Sequence, residues 1–466
     1  KSIKKNNFSG EYSFSKNVHK SERKKYEKYG SIVCEEVVPG VKRVSLFRPE
    51  DIAHVYQSEF GKIPNHSNSV AAIGKYRKDN SAVFKSGGVL LENDEEWSKL
   101  RKKLQKKLSK PQDIVYYIDK IDKVVNQFIE LCGKNKYDDV SPLLSRFYLE
   151  VMCLVAFDVS LDSFSSEEIN DKNSITSKLI EATHDGSKVM MSLNTGFQLW
   201  KYFDTPLYKK LKKTQNIIKE FAVEMIDKKL KEINENPDYN SGCLIENYLR
   251  DESLDIQDII AMASDTIIAG INSTSYVTTY SLFHIAKNEN VQEKIQQEAE
   301  ALIPQLDDHM TVEILKNAKY TKATVKETFR LNPIQSGIDK ILKHDTIING
   351  YFVPAGTNVL TQNQVISRLE KYFTEPNKFK PDRWLKDNSD SNSKSINGFA
   401  VLPFSHGPRS CLAKRLVEQI MHIFLLRLTR AYTLKLKNKL PISVSLITNR
   451  YPSPIRLEFI SNENEK

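Results

Sequence analysis

From Asp255 to Lys287 the chain carries one nearly unbroken helical pattern whose apolar residues run all the way round it. A helix without a polar face must be enclosed by other elements. It therefore predicts a large unit assembled around a central helix. At 466 residues and 40% hydrophobic content, the chain can supply that core. Helical periodicity dominates from Glu95 to about Glu300, with breaks expected near 134–138, 158–171, 185–205 and 232–241. Further helices are expected at 50–60, opened by Pro49, at 312–331, ended by Pro333, and at 411–432. Loop with short helices is expected over 67–88 and loop over 367–400, with a solvated Ser and Asn run at 388–397. Alternation over 32–46, around Asn349-Gly350 and Ala355-Gly356, and after Tyr432 predicts short strands. The expected class is mainly α with small β-sheets. A polar arm covers 1–25 and one large unit covers 26–466.

The net charge of +10 suits an acidic protein partner or an anionic membrane. No basic stretch is interleaved with stacking aromatics, so nucleic acid is not expected. The five cysteines, Cys34, Cys132, Cys153, Cys243 and Cys411, are scattered and never spaced C-x-x-C. That argues against a disulfide scaffold or a zinc site and fits a reducing compartment. No run of about 18 apolar residues occurs, so no membrane-spanning helix is expected. The chain opens on Lys1, and a processed form or fragment is expected.

The stretch Phe404-Ser405-His406-Gly407-Pro408-Arg409-Ser410-Cys411 sets one cysteine at the end of a glycine-bent loop, just before a helical pattern. Backbone N–H groups at a helix start and the nearby Arg409 both favour a thiolate. A thiolate on haem iron pushes electron density onto the metal and favours cleavage of dioxygen. Gly407 lets the backbone approach a flat macrocycle, and Arg409 can pair with a propionate. The bland alternative is a buried structural cysteine. The pattern F-x-x-G-x-R-x-C resembles the haem-binding loop of the cytochrome P-450 monooxygenases.

Two further motifs follow the order of that family. Glu327-Thr328-Phe329-Arg330 sets an acid and a base three apart on a helix, which alone is common surface chemistry. With Phe379-Lys380-Pro381-Asp382-Arg383-Trp384 it resembles the family's buried triad, here Glu327, Arg330 and Arg383. The resemblance covers about 26–460 and implies one haem-thiolate fold holding haem b, with Cys411 as axial iron ligand and no bound flavin or nicotinamide. It implies that Trp97, Arg101, Lys340 and Arg409 hold the propionates, with Phe404 and Gly407 in the same loop. Lys340 stands where mitochondrial relatives usually carry Arg. Ala269-Gly270-Ile271-Asn272-Ser273-Thr274 resembles the stretch facing dioxygen, with Gly270 leaving room beside the iron and hydroxyls relaying protons. It departs from the family pattern at Asn272, which replaces an acid, and at Ser273, which replaces Thr. An amide cannot deliver a proton as a carboxylic acid does.

Lys319, Lys322 and Lys326 form a helical stripe, and Lys414 and Arg415 follow Cys411. A charge run is usually a solvated face. The segment 322–327 resembles the ferredoxin-binding segment of the mitochondrial clan. The resemblance implies Lys322, Lys326, Lys414 and Arg415 as the docking face for an adrenodoxin-type ferredoxin, reduced by an NADPH-dependent reductase. It also implies a peripheral location on the matrix side of the mitochondrial inner membrane. The pocket-lining segments it implies are 67–84, 190–211, 261–273, 334–338 and 447–451. Their mix of apolar and small polar residues suits a sterol. Leu331-Asn332-Pro333-Ile334 with Gly337, Thr361-Gln362-Asn363-Gln364, Arg368-Leu369-Glu370, Ala413 and 418–422 are similar to the arthropod ecdysteroid 22-hydroxylases, which implies hydroxylation of an ecdysteroid precursor at C22. The alternatives are another mitochondrial sterol or xenobiotic hydroxylase, or a haem-thiolate isomerase or dehydratase acting on hydroperoxides, which Asn272 motivates.

Overall fold

The computed structural model describes residues 2–3, 18–38, 41–58, 70–108, 111–134, 139–193, 198–385, 396–438, 444–445, 449–450 and 454–462. The expected run at 388–397 falls almost wholly outside the described residues, as does the expected break at 134–138. In chain order, the helices that bear on the site are α1 (Val18–Tyr29), α2 (Ala71–Asp79), α3 (Asp94–Leu104), α4 (Ser141–Phe157) and α5 (Ile175–Leu193). They continue with α6 (Pro206–Glu235), α7 (Ile256–Gly270), α8 (Asn272–Lys287), α9 (Lys319–Leu331) and α10 (Lys414–Ala431).

Local chemistry sets several boundaries. Pro206 opens α6, and the Thr205 side chain accepts from Tyr208 N. α4 ends where Asp158 turns left-handed at φ 59°. The hairpin expected at Asn349-Gly350 forms: both residues have positive φ, 49° and 79°, and Ile348 pairs with Tyr351.

Tertiary contacts overrule the sequence elsewhere. The expected central helix is two helices, α7 and α8, interrupted at Ile271. The helix expected over 312–331 is Val312–Asn317 followed by α9, with Ala318 off helical geometry at φ −69°, ψ 65°. The break expected over 185–205 begins only after Leu193, because α5 continues that far with Val189 and Leu193 buried, and the next long helix starts at Pro206. α5 packs along α6, and Thr214 of α6 comes so close to Gly186 that an added Cβ would sit 3.2 Å from its hydroxyl. That close packing offsets the poor helix propensity of glycine. The arm expected over 1–25 ends in α1, where Glu22 and Lys25 are buried and Lys25 bridges Glu22 and Glu35 at 2.8 Å each.

Most buried apolar side chains form one cluster, with α4, α7, α8, α9 and α10 among its walls. A smaller cluster lies against the five-stranded sheet. The strand order there is Ser2–Ile3, Ile32–Val38, Val41–Leu46, Asn358–Thr361, Asp339–Ile341. Lys340 pairs with Val359 at the edge of that sheet.

Candidate active site

The loop before α10 folds back on itself. Cys411 N donates to Phe404 O at 2.8 Å, and Ser410 N to Gly407 O at 3.0 Å. Gly407 turns the chain at φ +76°, which favours glycine. Ser405 is also left-handed, and its hydroxyl meets Tyr56 Oη at 3.0 Å. The Phe404 ring packs edge-on against Phe329 of α9 at 5.0 Å. The loop is thus tied to the sheet side by Tyr56 and to the helical core by Phe404.

α10 begins at Lys414, three residues after Cys411 rather than at it. Cys411 is exposed, yet the surrounding protein desolvates its thiol and pushes the pKa up. The Ala413 N–H, Arg101 and Lys414 act in the opposite sense, and Glu418 adds to the rise. Arg101 is a guanidinium that favours the thiolate.

Arg101 of α3 donates to Ser410 O at 2.8 Å and to Gln105 Oε1 at 3.3 Å, both neutral oxygens. Desolvation lowers its pKa. The Arg409 guanidinium lies 4.3 Å over the buried Trp97 ring and donates to Glu92 O and Asn93 Oδ1 at 2.5 and 3.0 Å. Desolvation, with repulsion from Arg101, brings Arg409 down to about 10. Two desolvated, mutually repelling guanidiniums beside a thiol call for anions. Lys340 Nζ sits 3.8 Å over the Tyr56 ring, on the other flank of the same loop. These residues fit an iron macrocycle with a sulfur ligand and two carboxylate arms.

The interruption between α7 and α8 is lined with polar groups. Ser273 Oγ donates to Ala269 O at 2.7 Å. Thr274 is buried and donates to Gly270 O, and to Ile271 O at 3.2 Å. The hydroxyls therefore hold carbonyls around the interruption. Ala269 is exposed and Ser273 partly so, beside the buried Ile267, Ile271, Asn272 and Thr274. Asn272 is buried: its Nδ2 donates to Ser187 Oγ of α5 at 3.1 Å, and its Oδ1 has no partner among the described residues. A Cβ at Gly270 would strike Met152 Sδ at 2.7 Å, so the glycine also admits the close contact with α4.

Glu327, Arg330 and Arg383 come together as expected. Arg330 Nε and Nη2 reach the two Glu327 oxygens at 2.8 Å each, and Arg383 Nε reaches Oε1 at 3.1 Å. Trp384 Nε1 and Lys380 N complete the shell at 2.9 Å each. The remaining Arg330 donors go to the carbonyls of Ser367, Pro376 and Lys378.

Lys326, Lys414 and Arg415 are exposed and act together on Glu418. Lys322 is partly buried, donates to Lys316 O at 3.0 Å, and acts with Lys326 on His422. The two basic groups thus share one face of α9 and α10. Parts of the expected pocket segments, 67–69, 194–197, 447–448 and 451, lie outside the described residues. Sequence reasoning missed Tyr56, Ser187, Glu92 and Asn93, which carry no motif and reach the site only through tertiary contacts.

The family described as Cytochrome P450 matches residues 7–458. The chain is 38% identical over 429 residues to "Cytochrome P450 302a1, mitochondrial" of Drosophila melanogaster, covering 91% of this chain and 85% of that protein. It is 28% identical over 446 residues to "Cytochrome P450 12b1, mitochondrial" of Drosophila acanthoptera, covering 92% and 82%. With the family matched over nearly its whole length, the chain belongs to the cytochrome P450 family, haem-thiolate monooxygenases.

Proposed function

We propose that this P450 hydroxylates a steroid, an ecdysteroid precursor at C22, in the mitochondrion, with electrons from an adrenodoxin-type ferredoxin. The carrying observation is the desolvated Cys411 loop braced by Arg101, Arg409 and Trp97 in a chain 38% identical to a relative named mitochondrial. The steroid and its position rest on the segments around Leu331, Thr361 and Arg368 that resemble ecdysteroid 22-hydroxylases.

In this reading Cys411 ligates the iron, and Arg101, Arg409, Trp97 and Lys340 hold the propionates. Haem with a thiolate ligand supplies the activation of dioxygen: two electrons and two protons are consumed, one oxygen atom enters a C–H bond, and the other leaves as water. The protein must bring in the protons and keep bulk water out. Ser273 carries the hydroxyl open to the site. Asn272 and Thr274 hold the helix interruption that presents it. Glu327, Arg330 and Arg383 fix the segment 367–384 against α9.

The basic face of Lys326, Lys414 and Arg415 supports docking of an acidic ferredoxin. No helix among the described residues is long and apolar enough to cross a membrane. Peripheral membrane contact is supported by the exposed Leu199, Tyr202, Phe203 and Leu207, next to the exposed Lys201, Lys209 and Lys210.

The test is reconstitution with ferredoxin, its reductase and NADPH, offering a panel of ecdysteroid precursors and identifying products by mass. A product carrying one atom of labelled dioxygen at C22 is expected. Turnover of hydroperoxides alone, with no steroid product, would overturn the reading.

A further inference from the structure

The buried pair Arg77–Asp265 lies outside the site described above. Arg77 projects from α2 and Asp265 from α7, both nearly inaccessible to solvent. Nη2 of Arg77 bonds Oδ1 of Asp265, and Nη1 donates to Gly87 O at 2.6 Å. The guanidinium also lies 5.2 Å over the Phe84 ring. Asp265 accepts from the Leu90 backbone as well. The chain between α2 and α3 is therefore drawn down onto α7. Gly88 makes this approach possible: its φ is +69°, and a Cβ would sit 2.8 Å from Arg77 Nη1 and 3.3 Å from Ala261.

The bonds continue without a gap. Gly87 N donates to Glu92 Oε1 at 2.6 Å, and Glu92 O accepts from Arg409 at 2.5 Å. A chain of Asp265, Arg77, Gly87, Glu92 and Arg409 thus joins α7 to the Cys411 loop. At its α7 end, Asp265, Ala269 and Ser273 recur every four residues, which puts them on one stripe of the helix pair. Ala269 and Ser273 are the accessible members of that stripe.

We infer that the Arg77–Asp265 pair is a selectivity clamp: it fixes segment 80–93 between α7 and the Cys411 loop and so determines which carbon of the substrate is hydroxylated. A buried ion pair adds little net stability compared with a well-packed apolar pair, but its directional bonds hold one geometry. Position is what a hydroxylation at an unactivated carbon requires, because a shift of about 1 Å exchanges one target for another. The inference rests on the steroid-hydroxylating reading, in that its activity readout is the ratio of hydroxylated products.

The experiment compares the parent with Asp265→Asn, Arg77→Lys and the double variant Arg77→Met/Asp265→Leu. Each is loaded with haem and checked by the Soret band of its reduced carbon monoxide complex. Arg77→Lys keeps the charge but loses the fork that reaches Asp265 and Gly87 together. The double variant removes both charges and keeps apolar bulk. It is expected to melt close to the parent and keep the Soret band, yet to raise the ratio of minor to major steroid product at least tenfold. Amide hydrogen exchange over 80–93, read without substrate, is expected to quicken in all three. Unchanged exchange in Asp265→Asn, or an unchanged product ratio in any variant that folds and loads haem, overturns the clamp. A parent that yields no steroid product defeats the proposed function instead, and exchange over 80–93 still decides whether the clamp exists.

Discussion

Both carboxylate oxygens of Glu327 accept from the Nε and Nη2 of Arg330 at 2.8 Å, with neither side chain exposed to solvent. Burial alone would raise the Glu327 pKa, but Arg330, Arg383 and the Lys380 N–H outweigh it and hold the carboxyl below its ordinary value. Arg330→Ala leaves a buried carboxylate short of its main partner. A loss of about 3–5 kcal/mol is expected, with little haem-loaded protein recovered. Arg383 is partly exposed and reaches Glu327 through a single longer bond of 3.1 Å, so Arg383→Ala should cost less. Urea unfolding of the two variants checks the order, and equal losses would contradict it.

Stability should fall in mild acid, and His284 gives the sign. Burial pushes its imidazole down to about 4, despite a 2.7 Å contact with Asn332, and the ring stacks on Phe379 at 4.4 Å. The unfolded value is about 6.5. Between these values the unfolded chain binds more protons. The contribution is complete above about 6.5 and is lost as pH falls toward 4, at up to about 1.4 kcal/mol per pH unit. His422, pushed down to about 3, acts in the same sense. Unfolding of His284→Gln compared with the parent at pH 7 and pH 5 should show a shallower loss in the variant. Parallel losses would leave His284 without this role.

Ser273 and Thr274 should separate on substitution. Ser273 is partly exposed, and on the proposed function its hydroxyl relays protons, so Ser273→Ala is expected to slow hydroxylation roughly 10²-fold and divert electrons to peroxide, while Ser273→Thr retains activity. Thr274 is buried on Gly270 O and Ile271 O, so Thr274→Val should chiefly lower the melting temperature. Peroxide release and melting curves measured together distinguish the two. Parental turnover in Ser273→Ala would reduce that hydroxyl to its bond with Ala269.

Reversing charge on the shared face of α9 and α10 should weaken ferredoxin docking. Lys326→Glu is expected to raise the KM for ferredoxin about tenfold or more and flatten its salt dependence, with steroid affinity unchanged. Lys322 is partly buried and already engaged by Lys316 O, so Lys322→Ala should do less. Steady-state titrations with ferredoxin at two ionic strengths decide this.

Replacing the sulfur should be decisive. Cys411→Ser is expected to fold but to lose the red-shifted Soret band of the reduced carbon monoxide complex, and hydroxylation with it. A spectrum and yield like the parent's would remove Cys411 from the iron.

The amino-acid sequence by itself determined the family, the mainly helical class, the Asn349-Gly350 hairpin and the meeting of Glu327 with Arg330 and Arg383. The class and the hairpin follow from short-range patterns, helical periodicity and a two-residue turn, while the family and the meeting of Glu327 with Arg330 and Arg383 follow from motifs that resemble the family's cysteine loop and triad. Only the tertiary structure decided that the central helix is interrupted at Ile271, that α5 runs through Gly186, and that Gly270 admits the close contact with Met152. It alone turned Arg409 toward Trp97, Glu92 and Asn93 and left Arg101 beside the thiol. It alone joined Arg77 to Asp265 across 188 positions of chain. Such outcomes depend on which distant side chain reaches a buried polar group, and no local pattern encodes that choice.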